Sequence, residues 1–216
     1  MKPFKKAAAF TALPLFALAF FSSCKKEPLN HLTNEESRIY VSNYDTTAGF
    51  GGYRTFSIED SVSIIEDNQS VARKRSDYDS LVIQTTSQQM QSRGYTLVTK
   101  EAKPDLAINI SRVTNASTGV FSYSDYWDDY DGYYDPYYWG YPGYGYYAPY
   151  AVGIYTIRDG ALEIDLLDLK NAVNHGNKIQ AVWTGLARGE DIFDPGNAVA
   201  EVDSLFSQSP YLKTTN

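Results

Sequence analysis

Gly160-Ala161-Leu162-Glu163-Ile164-Asp165-Leu166-Leu167-Asp168 reads as a strand written in alternation. Successive side chains of a strand point to opposite faces. Leu162, Ile164 and Leu166 therefore share one face, and Glu163, Asp165 and Leu167 the other. Arg158-Asp159-Gly160 ahead of it is a hairpin-like turn that closes an earlier β-type run over 152–157. A polar loop over 170–177, with Gly176 in it, leads to a further strand over 179–187 that carries Trp183. The chain then turns helical. Asp194 is the expected cap, and Pro195 suits the first helical position. Ala198, Val199, Val202, Leu205 and Phe206 make an apolar stripe at helical spacing, and Pro210 stops it.

The N-terminal half follows the same grammar. Ile39-Tyr40-Val41 opens a β-type run ending at Tyr44-Asp45, and Phe50-Gly51-Gly52 is a turn. A strand over 53–58 places Phe56 and Ile58 on one face. Ser76 or Asp77 caps a helix reaching Arg93, with Tyr78, Leu81, Val82 and Thr85 as its apolar stripe. Gly94 follows as the left-handed residue that ends it. A short run over 95–98 and a strand with Leu106, Ile108 and Ile110 on one face complete the half. The expected order is β-β-α-β-β, a long loop, then β-β-β-α. Runs of strands with two amphipathic helices argue an α+β fold: a mainly antiparallel sheet with both helices on one face. No period of 20–50 residues is present, which excludes solenoids and propellers.

Four pieces in this order are familiar together. They are Tyr53-Arg54-Thr55-Phe56; Arg93-Gly94-Tyr95 with Lys103-Pro104-Asp105-Leu106; the stretch from Gly160 to Asp168; and Val182-Trp183-Thr184-Gly185-Leu186-Ala187. The succession, spanning about residues 39–212, resembles a family of bacterial envelope lipoproteins classed as domain of unknown function 4136. The resemblance implies a lipid-anchored α+β domain, often with a Gly- and Tyr-rich insertion. It brings no activity that could be carried over to residues here. Asp165 and Trp183 read as sheet and core positions.

The first 23 residues read as an address. Lys2, Lys5 and Lys6 precede an apolar run over 7–21, broken only by Thr11 and Pro14. A spanning helix needs about 20 apolar residues, so the run has the length of a signal-peptide core. Ser22-Ser23-Cys24 then resembles a bacterial lipobox, with Phe21 where Leu is commonest. Cys24 would be diacylglycerated and become the new N-terminus. It is the single cysteine, so no intrachain disulfide can form. Lys25-Lys26-Glu27 resembles a charged export tag, and residues 24–37 form a lipidated tether. The expected organisation is thus 1–23 signal, 24–37 tether and 38–212 one domain. The expected location is the outer membrane, on its periplasmic or its external face.

The chain's net charge of −7 becomes (19 − 3) − 26 = −10 once the signal is removed. Phosphate backbones need Lys and Arg to displace counterions, so nucleic acid is excluded as a partner. Anionic headgroups would repel the domain, which leaves membrane attachment to the lipid on Cys24.

One segment stands apart. Residues 121–150 hold 12 of 19 tyrosines, two of three tryptophans, five aspartates and no Lys or Arg. Four glycines and three prolines prevent a continuous helix and oppose a regular strand. Loops of this length are functional or disordered. Four readings stand. The segment packs on its own domain or stays mobile; it recognises protein through Tyr and Trp anchors; it stacks on sugars; or it forms an irregular calcium site. Candidate contact residues are Tyr126, Trp127, Tyr137, Tyr138 and Trp139. An EF-hand is excluded, because its register puts Trp127 and Tyr138 at the two essential ligand positions.

Catalysis has little to stand on. The two histidines are His31 in the tether and His175, which reads as a solvated turn residue. No nucleophile elbow, phosphate loop or dinucleotide fingerprint is present, and no cofactor is implied. Glu163, Asp165 and Asp168 on the alternating strand, read as sheet-surface acids, and the aspartates from Asp125 to Asp135 in the loop are the material of a carboxylate hydrolase. The expectation is a non-enzymatic binding or scaffolding protein of the envelope, with the aromatic loop as a protein-contact surface. A glycan-binding module is the alternative and a hydrolase the third reading.

Overall fold

The computed structural model describes residues 33–66, 69–115, 121–122, 130, 134–150, 154–155 and 160–215. The signal segment, Cys24, Tyr126 and Trp127 lie outside the described residues. After one helical turn, α1 (Asn34–Ser37), the chain builds β1 (Ile39–Tyr44), β2 (Thr55–Ile58), β3 (Val62–Glu66) and β4 (Gln69–Lys74). Next come α2 (Asp77–Ser92), β5 (Thr96–Leu97), β6 (Leu106–Asn115) and β7 (Phe121–Ser122). β8 (Gly145–Tyr147), β9 (Ile154–Tyr155), β10 (Ala161–Asp168), β11 (Lys178–Arg188) and α3 (Ala198–Ser207) complete it.

Nine strands form one mixed sheet that does not close, in the order β1-β11-β10-β6-β2-β5. Each flank is split in two. β8 pairs with the start of β11 beyond the end of β1, and the β3–β4 hairpin pairs with the end of β6 beyond β2. β7 and β9 pair separately. The central β6-β10-β11 triplet is antiparallel, as the alternation predicts. The expected order lacked β7, β8 and the β3–β4 hairpin, and β9 pairs with β7 instead of forming the expected hairpin with β10, whose neighbours are β6 and β11. Val62-Ser63-Ile64-Ile65 does not alternate cleanly, because three of these four side chains are apolar and both faces of β3 are covered.

Both long helices lie against one face. Leu162, Ile164 and Leu166 of β10 meet Val82 and Met90 of α2 and Val202, Leu205 and Phe206 of α3 in one core. Ser76 caps α2 in a reciprocal box with Asp79, and Gly94 follows with φ +93°. For α3 the cap position is Asn197 rather than Asp194. Asp194 instead accepts from the Gly196 N–H at 2.7 Å, within the turn before the helix.

The Trp183 motif is architectural. Trp183 pairs in register with Leu166 and Tyr44, donates its indole N–H to Ser209 Oγ at 2.8 Å and packs on Phe206. Val182 is the extra residue of a bulge opposite Leu166 and Leu167, so both Val182 and Trp183 reach the helix-side core. Gly185 is required where it stands: a Cβ there would lie 2.5 Å from the Trp183 ring and 3.1 Å from Leu205.

Candidate functional site

The second face of the sheet carries Tyr130, Tyr134, Trp139 and Tyr146 of the aromatic segment. Register places Asn109, Asp165 and Thr184 side by side across β6, β10 and β11. The next rung holds Ser63, Ser111 and Glu163. Such polar positions read as a solvated face. Instead Glu163 is 0% and Asp165 1% exposed. Tyr130, Tyr134, Trp139 and Tyr146 lie over them, packed with Leu167, Ile179 and Leu186 in a second core.

The hydroxyl tips of this roof meet the polar rungs. Asn109 Nδ2 donates to Tyr130 Oη at 3.0 Å, and that hydroxyl donates to Asp165 Oδ2 at 3.2 Å. Trp139 Nε1 donates to Asn109 Oδ1 at 3.2 Å. Thr184 Oγ1 donates to Asp165 Oδ1 at 2.8 Å and lies 2.7 Å from Tyr150 Oη. Tyr134 donates to the Ile110 carbonyl. Burial holds the phenols of Tyr130, Tyr134 and Tyr150 well above their usual range, with Asp165 adding to it, so they remain donors. A tyrosine offers an apolar body and one polar tip, which suits a face that is half apolar and half acidic.

Trp139 is therefore not a surface anchor: it is 6% exposed. Its neighbours differ. A short 3-10 turn, Pro136–Trp139, is capped by Asp135, whose side chain accepts from the Tyr137 N–H at 2.9 Å. The turn projects Tyr137, 69% exposed, and Tyr138, 37% exposed. The Lys100 ammonium sits 3.8 Å over the Tyr138 ring, and Trp139 meets it edge-on at 4.8 Å.

Tyr138 also stands on the rim of a groove of 560 Å³ at the open β5 edge of the sheet, floored by Ile58, Leu97 and Val98. A second groove, of 460 Å³, lies against α2 and shares Ile58 and Leu97 with the first. The first of these grooves is a concave surface that Tyr138 helps to line. The β5 edge carries no sequence signal of function; its sole mark is the apolar Leu97 in a two-residue strand.

His175 is not a free turn residue. Tyr147 Oη lies 3.0 Å from its Nδ1 and donates to Gln180 Oε1 at 2.9 Å, and Gln180 Nε2 donates to Asp45. The chain clips β8 to the 170–177 loop. Among the described residues no cluster of three His, Cys, Asp or Glu side chains is placed to hold a metal ion.

The family model of DUF4136, a domain of unknown function, matches residues 40–211. The chain belongs to the DUF4136 family. A crystal structure of a DUF4136 family protein from Bacteroides thetaiotaomicron is similar, with 28% identity and a TM-score of 0.69 over 83% of this chain and 99% of that one. The PelC dodecamer from Paraburkholderia phytofirmans matches at 10% identity and a TM-score of 0.39, with the same coverage. No curated protein matches. Within this DUF4136 chain the Gly160–Asp168 and Val182–Ala187 motifs lie on β10 and β11, two strands of the central triplet, which fits their reading as architecture.

Proposed function

We propose that this chain is a lipid-anchored protein of the bacterial outer membrane, tethered through Cys24, that binds a second envelope protein and carries out no chemistry. The observation that carries the reading is the contrast within one segment. Trp139, Tyr134, Tyr130 and Tyr146 are spent on the sheet, while Tyr137 and Tyr138 are presented beside a groove at an open sheet edge. Tyrosines with one polar tip and a rigid ring are favoured interface anchors.

Two further observations support it over the alternatives. A sugar-stacking platform gains most from open ring faces, and the Lys100 ammonium already covers one face of Tyr138. A carboxylate hydrolase built on β10 needs acids that reach substrate, and Glu163, Asp165 and Asp168 are all buried. The test compares the full chain with a Tyr137→Ala/Tyr138→Ala variant, each crosslinked in envelope extract. Loss of one defined protein adduct from the variant supports the reading. Identical captures, or a glycan adduct alone, contradict it.

A further inference from the structure

β5 is an edge strand, and its backbone geometry leaves one residue facing out. The Thr96 N–H donates to the Arg54 carbonyl at 2.8 Å, and the Val98 N–H donates to the Phe56 carbonyl at 2.9 Å. Alternation turns the N–H and C=O of the residue between them, Leu97, away from β2. No strand pairs with that side among the described residues. Leu97 itself is 45% exposed and belongs to both grooves. An extended segment laid along β5 would send alternate side chains to opposite faces, hence one into each groove.

The two grooves differ in charge. On the α2 side Arg75 is the one charged lining residue, among Gln84, Gln88 and Gln91. Arg75 Nε donates to Ser80 Oγ, and among the described residues no carboxylate pairs with it. On the other side Lys100 is balanced by Asp60 and Glu101 beside Tyr138. One groove therefore suits an acidic side chain and the other an apolar one.

We propose that the β5 edge takes an extended polypeptide of alternating acidic and apolar residues as an added strand. The segment pairs its backbone with Leu97, its acids face Arg75 and the α2 amides, and its apolar residues pack on Val98 and Tyr138. This names the partner chemistry for the contact surface proposed above and rests on that reading.

The test uses the full chain, labelled with ¹⁵N, and a blocked hexapeptide of three Glu-Val repeats. The expected result is saturable shifts at Leu97 and at residues of both grooves, at least 10-fold weaker with three Lys-Val repeats. Arg75→Glu should weaken the acidic peptide by a similar factor. Leu97→Pro removes the outward N–H and should abolish binding. A peptide N-methylated on the pairing side blocks strand addition without altering the protein, and it should not bind even if Leu97→Pro fails to fold. Equal binding of the basic or N-methylated peptide would overturn the proposal. So would cellohexaose shifting these residues where the peptide does not. Loss of the protein adduct in the Tyr137/Tyr138 variant without peptide binding would leave the contact surface standing and remove the added strand.

Discussion

Asn109 and Asp165 are register partners on β6 and β10, and both meet the same Tyr130 hydroxyl, at 3.0 and 3.2 Å. That shared contact ties the aromatic roof to the sheet. Removing one partner of a buried network leaves the others unsatisfied, at about 1–3 kcal/mol per group. Asp165→Ala is expected to cost about 2–4 kcal/mol and Tyr130→Phe about 1 kcal/mol. A double-mutant cycle by urea denaturation should return a coupling above about 0.5 kcal/mol. Strict additivity would mean that the contact does not hold the roof.

Trp139 and Tyr137 lie two residues apart and should behave oppositely. Trp139→Ala empties a place in the second core and is expected to cost about 3–5 kcal/mol. Tyr137→Ala touches an exposed ring and should stay within about 0.5 kcal/mol of the parent. Thermal denaturation of both variants checks this. Comparable losses would contradict the division of the segment into a buried and a presented part.

How the segment divides is the part the sequence did not disclose. The alternation of Leu162, Ile164 and Leu166 gave the helix-side face directly, and the Ser76 cap and Gly94 end of α2 are local signals that held. The acids of β10, Glu163, Asp165 and Asp168, were misread because acids on a strand look solvated by residue type alone. Asp165 and its register partner Asn109 are buried under Tyr130 and Trp139, which are distant in sequence, and no local pattern encodes that pairing. Gly and Pro in 121–150 fit the short elements found among its described residues, but they say nothing about whether irregular backbone lies on a core. The missed β3–β4 hairpin did leave a trace: an apolar run over 62–65, then Asp67-Asn68 as a turn pair, then Ser70-Val71-Ala72.

Gly185 should not tolerate a methyl group. The Trp183 ring and Leu205 occupy the space that its Cβ would take. Overpacking of this kind costs about 1–3 kcal/mol. Gly185→Ala is expected to lower the unfolding free energy by that amount, seen as a lower urea midpoint with the slope unchanged. An unaltered midpoint would mean that the ring has room to move.

Stability should fall as pH rises from about 4.5 to about 7, because of Glu201. It is buried on α3, and Oε2 accepts from the Tyr78 hydroxyl of α2 at 2.7 Å. Burial lifts its carboxyl from 4.5 to about 7, against the Tyr78 hydrogen bond and Arg38, with Asp194 adding to the rise. The folded chain thus holds this proton more tightly than the unfolded chain does. The contribution is fully present below about 4.5 and is lost as pH rises through about 7. It amounts to at most about 3 kcal/mol. Denaturation at pH 5.5 and pH 8 should show the parent losing stability relative to Glu201→Gln. A parallel pH dependence in the two proteins would contradict the assignment.

The central claim is that Tyr137 and Tyr138 form the face that meets another envelope protein. The most direct measurement places a photo-crosslinking phenylalanine analogue at Tyr137 of the full chain in cells. The control places it at Val199, an exposed apolar residue on α3. The account predicts one discrete protein adduct from position 137 and none from position 199. Equal adducts from both positions, or none from 137, would contradict it.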